Sequence, residues 1–216
     1  MEDNKPLPDL SAEEQRVLGS LIEKSRTTPD YYPMTLNSLT AACNQKSSRN
    51  PVVNYDEETV TLTLNSLKIK GLISTATGGS SRVIKYKHNL GIVYPLIPSE
   101  LSIICLLLLR GPLTPGEINS NSGRLFEFES IEEISDQLQK LSAGETPFVK
   151  LLPKKAGQKE ARFIHLLGEQ TDFQEEEQQL VQKTIFQPNE ALENRIVKLE
   201  QELEELKELV NLLMDK

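Results

Sequence analysis

DEETVTLTLNSLKIKGLISTATGGSSRVIKY, residues 56–86, is the stretch on which the fold turns. Asp56 stands where a helix N-cap belongs, because its carboxylate can accept from the free N–H groups of the first turn. Val60, Leu64 and Leu67 then recur on one helical face, and Gly71 supplies the stop. Leu72-Ile73-Ser74-Thr75 and Arg82-Val83-Ile84-Lys85-Tyr86 flank the turn Gly78-Gly79-Ser80-Ser81, which predicts a β-hairpin. Upstream, Ser11 and Glu14 form a capping box that opens a helix. Its apolar residues are Val17, Leu18, Leu21 and Ile22, and Thr27-Thr28-Pro29-Asp30 closes it. A short helix at about Thr35–Asn44, with Leu36 and Leu39 inward, completes the set. Three helices followed by a hairpin is the order of a winged helix.

The order recurs about 85 residues on. Leu101–Leu109 is an apolar helix stopped by Gly111-Pro112, and Thr114-Pro115-Gly116-Glu117 is a capping box with Pro at the first helical position. Ser130-Ile131-Glu132-Glu133 is another capping box, opening a third helix with Ile131, Ile134, Leu138 and Leu141 inward. Phe148–Leu152 and Arg162–Leu167 read as strands around the turn Pro153–Ala161. The fold class is therefore mainly α with small β-hairpins: two tandem winged-helix domains plus a C-terminal coiled-coil helix. The expected divisions are an N-terminal tail (1–9), domain one (10–95), domain two (96–168), a Gln/Glu-rich linker (169–188) and the coiled coil (189–216). A single larger α+β domain is the alternative.

The coiled coil rests on a 3.5-residue repeat. Leu192, Leu199, Leu206 and Leu213 take the d positions, and Ile196, Leu203 and Val210 the a positions. β-Branched residues at two of three a positions, with Leu at d, favour a parallel two-stranded pair and hence a homodimer. The alternative is an amphipathic helix packed on its own winged helices.

Charge narrows the function. The chain of 216 residues has a formal net charge of −8, yet residues 10–95 carry +3, residues 96–168 carry −1 and residues 169–216 carry −8. Acidity of the whole argues against indiscriminate nucleic-acid binding, while leaving a local basic face on the first domain. The longest apolar run, around Ile103–Leu109, is too short to span a bilayer, and Met1–Leu10 is acidic and Pro-rich, unlike a secretory signal. With both cysteines in apolar helical patterns, a reducing cytoplasm is expected.

Three blocks carry a resemblance: residues 43–52 (CNQKSSRNPV), 81–88 (SRVIKYKH) and 107–117 (LLLRGPLTPGE), with RLFEF at 124–128 as a fourth. Each resembles a segment of the YceH-like bacterial proteins, a family of unknown function. The resemblance covers nearly the whole chain and implies two winged helices and a bacterial cytoplasmic protein. It implies no activity. Asn50 departs from the acidic residue that the family often has there.

No catalytic group, cofactor site or metal site is expected, and the protein reads as non-enzymatic. Cys43 and Cys105 lie among Leu, Ile and Ala rather than in the electropositive, accessible setting of a nucleophile. His88 and His165 occupy equivalent positions in the two repeats, which suits packing, and no CxxC, HxxxH or phosphate-loop spacing is present. The candidate nucleic-acid contacts are Lys46, Ser47, Ser48 and Arg49 between helices two and three, Asn65 on helix three, and Ser80, Ser81, Arg82, Lys85 and Lys87 of the wing. Cations and hydroxyls position a phosphate backbone without specifying sequence. The alternative for the first group is a solvated loop with Arg49 held by a carboxylate elsewhere in the fold. The outward face of helix three should show Glu58, Leu62, Asn65, Ser66 and Ile69, and its counterpart in domain two Glu132, Asp136, Gln137 and Lys140. One reading is a DNA- or RNA-binding transcription regulator acting through domain one. The other is a protein-docking scaffold using the Leu62–Ile69 stripe.

Overall fold

Capping residues set the helix boundaries where the sequence places them. A computed structural model of the chain describes residues 6–77, 83–154, 160–168, 198 and 201. In chain order the elements are α1 (Ala12–Thr27), a 3₁₀ turn (Pro29–Tyr31), β1 (Met34–Thr35), α2 (Leu36–Cys43), α3 (Glu57–Ile69), β2 (Ile73–Ala76) and β3 (Lys85–His88). After these come α4 (Leu90–Val93), α5 (Pro98–Arg110), α6 (Pro115–Ser122), α7 (Ile131–Ser142), β4 (Val149–Leu151) and β5 (Phe163–His165). The fold is mostly helical with small antiparallel sheets, β1-β3-β2 in the first half and β4-β5 in the second. Ser11 and Thr114 form full capping boxes with Glu14 and Glu117. Ser130 caps α7, but the Glu133 carboxylate reaches back to the Glu129 N–H instead of completing the box.

The second half repeats the first at the level of strand register. Met34 stands opposite Tyr86, and Thr35, one residue on, N-caps α2. Leu113 bridges Phe163, and Thr114, one residue on, N-caps α6. Two residues past each aromatic lies a histidine: His88 opposite Ile73, and His165 opposite Val149.

The chain divides into two compact units, Met1–Glu169 and Gln170–Lys216. Lys198 and Gln201 are the described residues of the second, both helical and exposed. The heptad positions Leu192, Ile196, Leu199, Leu203, Leu206, Val210 and Leu213 lie outside the described residues, as do Ser80, Ser81 and Arg82.

Residues 10–95 and 96–168, expected as separate domains, share one core within the first unit. Helix α1 joins them. Val17, Leu18, Leu21 and Ile22 are fully buried as expected, and so are Gly19 and Ser20 between them, because α5 covers the side of α1 that its own half leaves open. A Cβ at Gly19 would lie 2.9 Å from Leu109 Cγ and 3.2 Å from Leu108 Cβ. The Cys105 thiol donates to the Gly19 carbonyl at 3.4 Å. The end of the unit closes on its beginning: at Gly168 (φ +144°) a Cβ would strike the Leu10 carbonyl and the Gln15 amide.

Several details correct the sequence reading. Strand β3 starts three residues later than expected, with Val83 and Ile84 exposed ahead of it, because pairing with both β1 and β2 fixes the register at Lys85. Ile131 is exposed at the first position of α7, while Ile134, Leu138 and Leu141 are buried. Gln137 is buried rather than outward.

Two expectations follow. Gly19→Ala gains about 1 kcal/mol of helix propensity but forces Leu109 aside at about 1–3 kcal/mol, for a net loss of roughly 1 kcal/mol. Gly19→Val adds bulk without the propensity gain and costs roughly 3 kcal/mol, read from urea midpoints. The second concerns acid. Burial pulls His88 and His165 down to about 4, with Arg26 adding to the effect on His88. Both rings stay neutral in the fold while the unfolded chain takes up protons below about pH 6.5. Stability is therefore full above pH 6.5 and falls toward pH 4, by roughly 2 kcal/mol per histidine. Unfolding of the wild type and a His88→Gln/His165→Gln chain at pH 7 and pH 5 checks this: the double variant should lose distinctly less on acidification.

Candidate nucleic-acid interface

Residues 44–50 were expected to offer cations and hydroxyls to phosphate, and the fold divides them. Arg49 points inward with its side chain 0% exposed. Its guanidinium makes a bidentate pair with Glu23 of α1 (Nη2–Oε2 2.7 Å, Nη1–Oε1 3.1 Å) and donates to the carbonyls of Ala42 and Ser48. Burial pushes the Glu23 carboxyl up, but the bonds and charge of Arg49, joined by Lys24, outweigh it and hold the group below its usual range. The phosphate contact expected of Arg49 is thus replaced by the internal ion pair. A second buried arginine, Arg16, donates to the carbonyls of Cys43 (3.2 Å) and Pro51 (2.6 Å). Between them the two arginines satisfy the carbonyls of Ala42 and Cys43 at the end of α2, which would otherwise be buried without these partners.

The same segment fastens the two halves. The Asn50 N–H donates to the Leu109 carbonyl (2.8 Å), its side-chain amide to the Arg110 carbonyl (3.3 Å), and Arg110 donates to Ser48 Oγ (2.8 Å). Ser48 is half-buried with φ +61°, so its oxygen belongs to this clasp. Asn44 exchanges two 2.7 Å bonds with the backbone of Tyr55. Lys46 and Ser47 remain at the exposed tip.

On β3 the side chains of Lys85 and Lys87 share one face, since residues two apart in a strand point the same way. Tyr86 packs against the core from the other face. Lys87 is exposed and Lys85 half-buried. Neither they nor Lys46 have an ion-pair partner among the described residues. The last turn of α1 meets the loop where Lys24 donates to Gln45 Oε1 (3.2 Å), and it meets β3 on the face opposite Lys85 and Lys87, where Ser25 Oγ lies 3.3 Å from His88 Nε2. That turn brings two cations absent from the expected set, Lys24 and the exposed Arg26. Their signal was available, since basic residues gather at helix C-termini.

Helix α3 presents Glu58, Leu62, Asn65 and Ile69 outward, with Leu62 64% and Ile69 88% exposed. Ser66 is instead drawn to α1, donating to Glu14 Oε1 at 2.7 Å beside Lys70, which pairs with Glu14 Oε2 at 2.6 Å. The first turn of α3 is acidic, with Glu57 and Glu58 beyond the Asp56 cap. On α7 the outward set is Glu132, Asp136 and Lys140. Arg162, expected on the second wing, pairs with Glu117.

The thiols of Cys43 and Cys105 are buried, and burial pushes both up, away from the thiolate form that a nucleophile needs. Among the described residues no three His, Cys, Asp or Glu side chains converge as metal ligands, and no helix is long and apolar enough to cross a membrane.

Comparison with known proteins agrees with the resemblance. A family model described as "Protein of unknown function, DUF480" matches residues 10–158. A UPF0502 protein of Shewanella halifaxensis is 44% identical over 214 residues, covering 96% of this chain and 100% of the relative. Another from Opitutus terrae is 49% identical over 166 residues, 76% of this chain and 72% of the relative. A third, from Solibacter usitatus, is 44% identical over 198 residues, 92% and 93% of the two chains. With the model spanning most of the first unit and relatives of this likeness along nearly the full length, the chain belongs to the DUF480 family of unknown function.

Proposed function

We propose that this chain is a non-enzymatic protein of two tandem winged helices that binds DNA or RNA through its first half. The repeated order of three helices and a hairpin supports the winged-helix reading of each half. The observation that supports the binding is the set of cations in the first half: Lys85 and Lys87 on one face of β3, Lys46 at the exposed loop tip, and Lys24 and Arg26 in the last turn of α1. The acidic first turn of α3 opposes entry of that helix into a groove, so the contact positions the backbone and reads little sequence. Replacing Lys46 and Lys87 together by Glu should weaken binding of unrelated duplexes by tenfold or more at low salt. It should also reduce the salt dependence by about two units of slope. Retention of wild-type affinity, measured by fluorescence anisotropy, would refute the assignment.

A second reading, a protein-docking scaffold, is favoured by the exposed Leu62 and Ile69 on α3. The neutral pair Leu62→Ser and Ile69→Ser separates the two. Stability should change by less than about 0.5 kcal/mol, since neither side chain is in the core. Duplex affinity is kept if the cations carry binding, whereas retention of a specific co-purifying protein is lost if α3 is the contact.

A further inference from the structure

The two halves treat one equivalent cation in opposite ways. Thr35 stands opposite Lys85 in the first half. The Leu113–Phe163 bridge sets Thr114 against Arg162 in the same manner. In the second half Arg162 is neutralised internally: its Nη1 and Nη2 each reach a Glu117 oxygen at 2.7 Å, and Nη1 also donates to the Pro112 carbonyl at 2.8 Å. Glu117 is the third residue of α6. The third residue of α2 is Ser38, its hydroxyl 3.0 Å from that of Thr35, and the first turn of α2 carries no acidic side chain. Lys85 therefore faces the position from which its counterpart takes a carboxylate, and among the described residues none pairs with it there; Glu57 of α3 reaches that turn only at Asn37 (3.4 Å). The next outward residue differs as well, with Lys87 exposed in the first half and its counterpart Ile164 buried in the second.

We propose that Glu117 is a built-in anion, filling in the second half the place that a backbone phosphate of nucleic acid takes against Lys85 in the first. The inference rests on the nucleic-acid reading and adds a division of labour: the first half binds, and the second is closed by its own carboxylate. A phosphodiester is the fitting ligand, because its single negative charge, shared over two exposed oxygens, meets the point charge of the Lys85 ammonium as the Glu117 carboxylate meets Arg162. Desolvating Arg162 for an external phosphate means first breaking a bidentate pair, whereas Lys85 has no ion pair among the described residues to break.

The experiment uses the full chain and fluorescent 20-base-pair duplexes of DNA and of RNA, followed by anisotropy from low to moderate salt. Lys85→Gln should weaken binding about three- to tenfold at low salt and lower the salt slope by about one. Glu117→Gln removes the charge and keeps an amide that can still serve the Thr114 capping box. It should tighten binding by a similar factor and raise the slope by about one, and the added Arg162→Gln should return both to wild-type values. A thermal midpoint for each variant shows that it is folded. If the wild type binds but Glu117→Gln gains nothing, or Lys85→Gln loses nothing, the division of labour is overturned and the broader reading stands. If the wild type binds neither duplex at low salt, the nucleic-acid reading falls and takes this inference with it. The DNA and RNA arms show which backbone is preferred.

Discussion

The approach of α1 to α5 at Gly19 is the constraint from which most of the structure follows. With a hydrogen in place of a side chain, the two helices come close enough for the Cys105 thiol to reach the Gly19 carbonyl. An α1 covered on two sides has few places for charged residues, yet it carries Glu14, Arg16 and Glu23. Burying such groups unpaired costs several kcal/mol each, so the fold supplies partners. Lys70 and Ser66 reach Glu14 from α3, Arg49 reaches Glu23, and Arg16 takes the carbonyls at Cys43 and Pro51. The loop between α2 and α3 is shaped by these demands.

That origin explains why the most distinctive stretch of sequence is a clasp. Residues 44–50 have the composition of a phosphate loop, but hydrogen bonds to the Tyr55 backbone, to α1 and to the end of α5 take up Asn44, Arg49, Ser48 and Asn50. Cations left to the solvent sit at the loop tip and on β3, and they are compensated differently in the two halves. An ion pair is easily formed inside one chain when a helix's third residue and a neighbouring strand face each other, as Glu117 and Arg162 do. Where the third residue is Ser38, the same geometry leaves a charge to be met from outside.

Local features of the fold were legible in the residues themselves. Capping at Ser11, Asp56, Thr114 and Ser130 and the buried faces of α1 and α3 follow from rules acting within one or two helical turns. What sequence could not show depends on distant partners. The burial of Gly19 requires α5, 86 residues away from it at Cys105. The late start of β3 is imposed by β1, a two-residue strand too short to carry a pattern. Arg49 looked solvent-facing because its neighbours Lys46, Ser47 and Ser48 are polar, while its carboxylate lies 26 positions back on α1. Ile131 turns outward because it is the first residue of α7, where helical phase is loosely set by hydrophobic spacing alone, whereas Gln137 lies mid-helix and is buried by the elements packed on α7.

The meeting of Gly168 with Leu10 has a topological consequence. The stretch from Leu10 to Gly168 starts and finishes at one place, so its covalent order is closer to a ring than to a line. A circularly permuted gene, joining these ends by a short flexible bridge and opening the chain within the exposed stretch Ala143–Glu145, would keep every helix and both sheets intact. The helix pair around Gly19 would then be reached by a different path along the chain, and the kinetics of that rearranged molecule would show whether the two repeats fold as one nucleus or in sequence.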